Sequence, residues 1–224
     1  MQYGSETLEM LTEIMDQGVN HVALLMRHSA RTYNEGNHDH DNRLTDEGRE
    51  FALEFGKALP KSITLRGYTS PVNRCQETAQ LILEGHHAEG GPVTRSRIID
   101  ALGNFYILDM MKLSRAVEAA GGMASLYTSW FDGKCDPDMI ISSEITAKIL
   151  TQVVTEKLSR PLANPQVDLL VSHDMNLYPV REHLLNQSIA EFGDVNYLDA
   201  IAFYFIDDTP MMRSHHNPAV PVSI

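Results

Sequence analysis

The stretch HVALLMRHSAR, residues 21–31, joins a short, continuously apolar run to Arg27, His28 and Arg31. A run of that length, bounded by turn-forming residues, suits a strand buried on both faces of a parallel sheet. Its carboxyl end then carries an imidazole between two permanent cations. Arginine beside an imidazole disfavours protonation, so the group is poor as an ion pair and suits an anion that all three side chains could hold.

Working outward, strand-like and helix-like segments alternate. Upstream, Leu8, Leu11, Ile14 and Met15 share a helical face, with Ser5 as N-cap and Gly18 as the stop. Downstream, a polar loop leads to a helix over 44–60 capped by Thr45 and ended by Pro60. A strand over 63–70 feeds a helix over 71–83 with Pro71 and Arg74 in its first turn, and a third strand is expected over 92–99. The mixed stretch 100–141 reads as a partly helical cap or insertion, with Trp130 and Phe131 in its core. A helix over 142–159, capped by Ser142 or Ser143, follows with Ile145, Ile149 and Val153 at i, i+4 spacing beside Leu150 and Val154. A buried strand over 167–172 ends at His173 and Asp174. A helix from Met175, with Pro179 in its first turns, precedes a last strand over 200–206, and 207–224 reads as an extended surface tail. The expectation is one domain over 1–224, an α/β three-layer α/β/α sandwich with a mostly parallel central sheet, whose ligands bind beyond the carboxyl ends of the strands.

Composition narrows the partners. The 224 residues are 43% apolar, ordinary for a packed core, and a net charge of −12 argues against nucleic acid and anionic membrane surfaces. No run of 18 apolar residues occurs, and the acidic start MQYGSETLEMLTEIMDQG reads as neither signal peptide nor membrane anchor, so the expected location is the cytoplasm. Cys75 and Cys135 lack metal-ligand spacing and are expected to be reduced thiols.

In such an acidic chain a local basic pocket stands out. Three strand ends bring Arg27, His28 and Arg31, then Arg74, then His173 and Asp174 to one edge of the sheet. Three guanidinium groups and two imidazoles match a phosphoryl group, because the arginine fork binds its oxygens bidentately and stays charged.

LLMRHSAR, SPVNRCQETA and VSHDMNL, in this order and with LTDEG between the first two, resemble the signature segments of the histidine phosphatase superfamily, the phosphoglycerate-mutase-like fold. The resemblance implies His28 as the nucleophile that forms a phosphohistidine, and Arg27, Arg31, Arg74 and His173 as the holders of the phosphoryl oxygens. Asp174 directly after His173, with Asn176, is similar to the His-Asp-x-Asn pattern of the acid-phosphatase-type branch, which implies Asp174 as general acid. Asp100 is the reserve acid, near where the mutase-like branch keeps its own.

Two departures stand out. Ser29 occupies a position where glycine is commonest, which would alter the backbone there or add a hydroxyl to the phosphate shell. The large helical insertion of many acid phosphatases has no counterpart in these residues, and their secretory leader is not expected. The implied activity is metal-independent hydrolysis of a small-molecule phosphate ester, without cofactor, nucleic acid or membrane, and with a homodimer left open. Phosphoprotein phosphatase, phosphomutase and a non-catalytic phosphate-binding module are the alternatives.

Other groups have plainer readings. His38, Asp39, His40 and Asp41 suggest a metal loop but have no second cluster to complete a cage, so a polar loop is expected. Cys75 is expected to be inert and half-buried, and the pairs His86-His87 and His215-His216 to be exposed. Asp174 could also cap the helix that follows it.

Overall fold

Strand β1 spans His21–Arg27, and its residues Val22 to Met26 are all buried. Side chains alternate across it: Val22, Leu24 and Met26 join one apolar cluster, Ala23 and Leu25 another. Two apolar faces oblige the strand to sit inside a sheet covered on both sides.

In the computed structural model, which describes residues 3–33 and 41–222, β1 lies within a seven-stranded sheet of order β3-β2-β4-β1-β5-β6-β7. β2 (Thr64–Thr69), β3 (Arg97–Ile98) and β4 (Gln166–Ser172) run parallel to it, with β4 paired directly alongside. β5 (Ala200–Ile206), β6 (Thr209–Arg213) and β7 (Val220–Pro221) extend the other side in antiparallel pairs. The segment expected as a surface tail thus supplies two further strands, β7 forming the sheet edge, and 200–206 is not the last. β3 is shorter than expected, its upstream part reduced to a single bridge between Val93 and Leu65.

Helices α1 (Ser5–Asp16), α2 (Asp46–Ala58) and α3 (Asn73–Ala88) cover one face. The α1 cap is Gly4 rather than Ser5: Gly4 has φ +85, and a Cβ there would lie 2.7 Å from the Phe55 ring. Thr45 caps α2 by accepting from the Gly48 amide, as expected. On the other face lie α6 (Ser143–Leu158), capped by Ser142, α7 (Asp174–Leu184) and the short α8 (Ile189–Phe192).

Helix α6 buries Leu150 and Val154 as expected, together with Thr146, Ala147 and Leu158, while Ile145 and Ile149, expected on the apolar face, are exposed. Burial of Thr146 is tolerated because its hydroxyl donates to the Ser142 carbonyl one turn back. Pro179 sits inside α7, deeper than its first turn.

Between β3 and α6, helices α4 (Met110–Ala120) and α5 (Met123–Phe131) build a third apolar cluster around Tyr106, Leu126 and Trp130. Trp130 is buried as expected, and its Nε1 donates to the Ile141 carbonyl at 2.7 Å. Among the described residues no helix is long and apolar enough to cross a membrane.

Candidate active site

The register of the sheet assembles the site. Arg27 pairs with Ser172, so the next residues, His28 and His173, leave adjacent strands side by side at the carboxyl edge. β2 stops level with them, its Thr69 opposite Val171, and Arg74 follows in the first turn of α3. Parallel strands in register therefore bring together residues nearly 150 positions apart.

Arg74 is the hub. It is 3% exposed, its Nε donates to His28 Nε2 at 2.9 Å, and its Nη2 lies 3.2 Å from His173 Nδ1. The two imidazoles meet edge to face with centroids 5.5 Å apart. Because a guanidinium can only donate, each ring must offer it a lone pair.

For His28 the other nitrogen agrees, since Nδ1 lies 2.8 Å from the Ser29 carbonyl, which can only accept. The proton is thereby placed on Nδ1 and the lone pair on Nε2. Burial, then Arg74, His173 and Arg27, push the His28 pKa well below the ordinary 6.5, so a neutral, nucleophilic ring is the stable form at neutral pH. For His173, Nε2 lies 3.0 Å from the Ser70 hydroxyl, which accepts its proton and orients the ring.

Ser29 departs from expectation in an informative way. Its hydroxyl donates to the Gly48 carbonyl at 2.6 Å, and its amide donates to Thr78 Oγ1 at 3.1 Å. It belongs to the support of the His28 loop, not to a phosphate shell, and its backbone needs no positive φ. The glycine of LTDEG now has a reason: a Cβ on Gly48 would lie 2.0 Å from the Ala30 carbonyl oxygen, so only glycine lets α2 reach this loop.

The remaining candidates are distributed around this core. Arg27 pairs with Asp174, Nη2 to Oδ2 at 2.9 Å, donates from Nη1 to the Val195 carbonyl, and lies 4.2 Å from the Tyr197 ring centre. His173 takes the N-cap position and Asp174 opens α7, with its Oδ1 accepting from the Met175 amide. Arg31 is half-buried past the strand end, donating to the Thr32 carbonyl and lying over Tyr33. Asp100, beyond β3 in a 3-10 turn, is exposed.

Several surrounding residues were not legible as site residues. Tyr197, whose ring lies 5.9 Å from that of His28, comes from a segment without a motif. Ser70 lay inside the quoted SPVNR segment, yet its hydrogen bond to His173 depends on the strand register. Cys75 is fully buried, with Sγ 3.6 Å from His173 Nε2, in the floor of the site rather than half-exposed. His86 is buried too, its Nε2 on the Ile63 carbonyl, and His215 is half-buried against Glu6; both were expected to be exposed. The loop with His38, Asp39 and His40 lies outside the described residues, and Asp41 at its end is exposed.

Comparison with known proteins agrees with this fold. Solved structures of similar fold include a phosphoserine phosphatase from Entamoeba histolytica in complex with 3-phosphoglyceric acid, 19% identical over 87% of this chain and 95% of that one, with TM-score 0.61. A mycobacterial glucosyl-3-phosphoglycerate phosphatase complexed with VO3 is 19% identical over 86% and 96%, with TM-score 0.58. A phosphoglycerate mutase from Bacillus anthracis is 17% identical over 89% and 94%, with TM-score 0.56. Among curated proteins no similar sequence is found.

The family model described as histidine phosphatase superfamily, branch 1, matches residues 23–207. The likeness to the acid-phosphatase-type branch rests, by contrast, on the short His-Asp-x-Asn segment from His173 to Asn176 alone. A strand-end histidine with its lone pair on Nε2, a guanidinium joining it to a second histidine and the match over most of the chain converge: the chain belongs to the histidine phosphatase superfamily.

Proposed function

We propose that the protein is a metal-independent phosphomonoesterase of the cytoplasm that acts through a phosphohistidine on His28, with a small phosphorylated metabolite as substrate. The observation that carries this reading is Arg74 donating to the lone pair of His28 and reaching His173. That geometry offers one nucleophile and, within a few ångströms, donors for the oxygens of the group it attacks. The complexes of two phosphatases of similar fold with VO3 and with 3-phosphoglyceric acid are in keeping with a phosphate-like or phosphorylated ligand.

In the first step Nε2 forms a bond to phosphorus as the ester P–O bond breaks in line. The phosphoryl oxygens take over the Arg74 N–H now spent on His28; His173 joins once its Nε2 proton turns from Ser70, and Arg27 and Arg31 are the further charged donors. These cations neutralise charge that grows in the transition state. Substrate phosphate arriving at Arg27 competes with Asp174 for the same guanidinium; the carboxylate so released takes the proton carried by the phosphate monoester monoanion and passes it to the leaving alkoxide. Water, deprotonated by Asp174, then attacks phosphorus, the N–P bond breaks, and phosphate leaves with His28 restored.

Asp100, exposed beyond β3, is the alternative acid. The mutase of similar fold supports phosphoryl transfer to a second hydroxyl as the competing activity, which inorganic phosphate release against phosphorylated product distinguishes.

Turnover of nitrophenyl phosphate tests the nucleophile: His28→Ala should abolish it, and a variant with the parent rate would refute the mechanism. Asp174→Asn should slow alkyl phosphates far more than nitrophenyl phosphate, whose leaving group needs no proton. An equal loss on both moves the acid to Asp100.

A further inference from the structure

Behind Asp174 the first turn of α7 is tied to the cap by a buried polar chain. Asn176 is fully buried, and its Nδ2 donates to the Leu102 carbonyl at 3.0 Å, the Gly103 carbonyl at 3.2 Å and the Ser172 hydroxyl at 2.7 Å. Carbonyl oxygens can only accept, so they fix which end of the amide faces them and leave Oδ1 as an acceptor. Tyr106 supplies the donor, its hydroxyl 2.7 Å from Oδ1, closer than the 3.3 Å to Asn104. Ser172 closes the chain by donating to Leu102.

Each end of this chain belongs to a different part of the molecule. Tyr106 is fully buried in the cap cluster, its ring 5.2 Å from that of Trp130, and its carbonyl accepts from the Ile141 amide. Asn176 is two residues after Asp174, and its amide donates to the His173 carbonyl. Burial holds the Tyr106 hydroxyl in its protonated, donating form. The Tyr106 hydroxyl therefore joins the apolar core of the cap to the turn that carries both His173 and Asp174, beside the bonds that Asn176 gives to the Leu102 and Gly103 carbonyls.

We infer that Tyr106 is a positioning residue: through Asn176 its hydroxyl sets the first turn of α7 so that Asp174 is aimed at the leaving oxygen. This rests on the reading of Asp174 as general acid. It also gives the cap a part in catalysis, because whatever shifts Tyr106 on substrate binding shifts the acid.

The experiment is Tyr106→Phe, which keeps the ring and deletes the hydroxyl, assayed beside Asp174→Asn on an alkyl phosphate and on nitrophenyl phosphate. Tyr106→Phe should lower kcat on the alkyl ester by about tenfold, a fraction of what a general acid is worth, and change nitrophenyl phosphate turnover by less than about twofold, with KM nearly unchanged on both. The ratio of the two kcat values does not depend on how much of the variant is folded. Leu126→Ala, which thins the cap core without touching the hydroxyl, should lower Tm and leave that ratio alone.

An unchanged ratio in Tyr106→Phe with a changed one in Asp174→Asn overturns the positioning role and spares the acid. An unchanged ratio in Asp174→Asn overturns both. The same ratio change in Leu126→Ala as in Tyr106→Phe also overturns the positioning role, since cap destabilisation alone would then account for it.

Discussion

Arg74→Ala removes a side chain that touches both imidazoles. Two effects follow and can be separated. The first is on the barrier: a preorganised donor facing developing charge in a buried site is worth about 3 kcal/mol, so kcat/KM should fall by roughly 150-fold. Arg74→Lys should recover part of this, since an ammonium restores the charge but not the fork that spans His28 and His173. The second is on the nucleophile, whose pKa is held down by burial first and by Arg74 next. Without Arg74 the His28 pKa rises toward 6.5, and the acid limb of the kcat/KM profile of nitrophenyl phosphate moves to higher pH, while Arg74→Lys leaves it near the parent position. A rate within fivefold of the parent, or a limb that does not move, would show that the guanidinium seen between the rings is not part of the reacting site.

The same shift has a consequence for stability. Because the folded-state pKa of His28 lies below its unfolded value of 6.5, the unfolded chain binds more protons as pH falls through that value, so the folded state loses ground on acidification and regains it as pH rises. His28→Gln should flatten the fall of the urea midpoint below pH 6.5 relative to the parent; parallel curves would contradict the linkage. At the opposite end of the sheet, Asp168 is fully buried and held by Arg66 through two contacts of 2.5 and 2.7 Å and by His21 at 2.8 Å. Asp168→Ala strands the half-buried Arg66 and should cost about 3 to 5 kcal/mol in urea unfolding, with KM unchanged in whatever fraction folds; a loss under 1 kcal/mol would mean that water compensates Arg66.

The strand-end residues were legible because two rules act locally. Apolar runs such as HVALLM and VDLLVS must be buried on both faces, and a parallel sheet delivers whatever follows them to one edge. His28, Arg74 and His173 were found that way. Surface assignments failed where partners come from afar. His86 is buried because the Ile63 carbonyl accepts its proton, and Ile145 and Ile149 face outward because α6 turns its threonine-bearing side to the sheet. Nothing local forecasts either choice.

By itself the sequence determined which chemistry-bearing residues sit at strand ends, and so that a basic site had to form in an acidic chain. It also carried the glycine of LTDEG, though not its purpose. Only the tertiary structure decided what each group touches. It placed the Ser29 hydroxyl on Gly48, paired Arg27 with Asp174, set Tyr197 beside His28 and linked Tyr106 to Asn176. The physical reason is range. Hydrophobic periodicity follows from a few neighbouring residues, whereas a hydrogen bond is satisfied by whichever partner the packing of distant elements brings within about 3 Å.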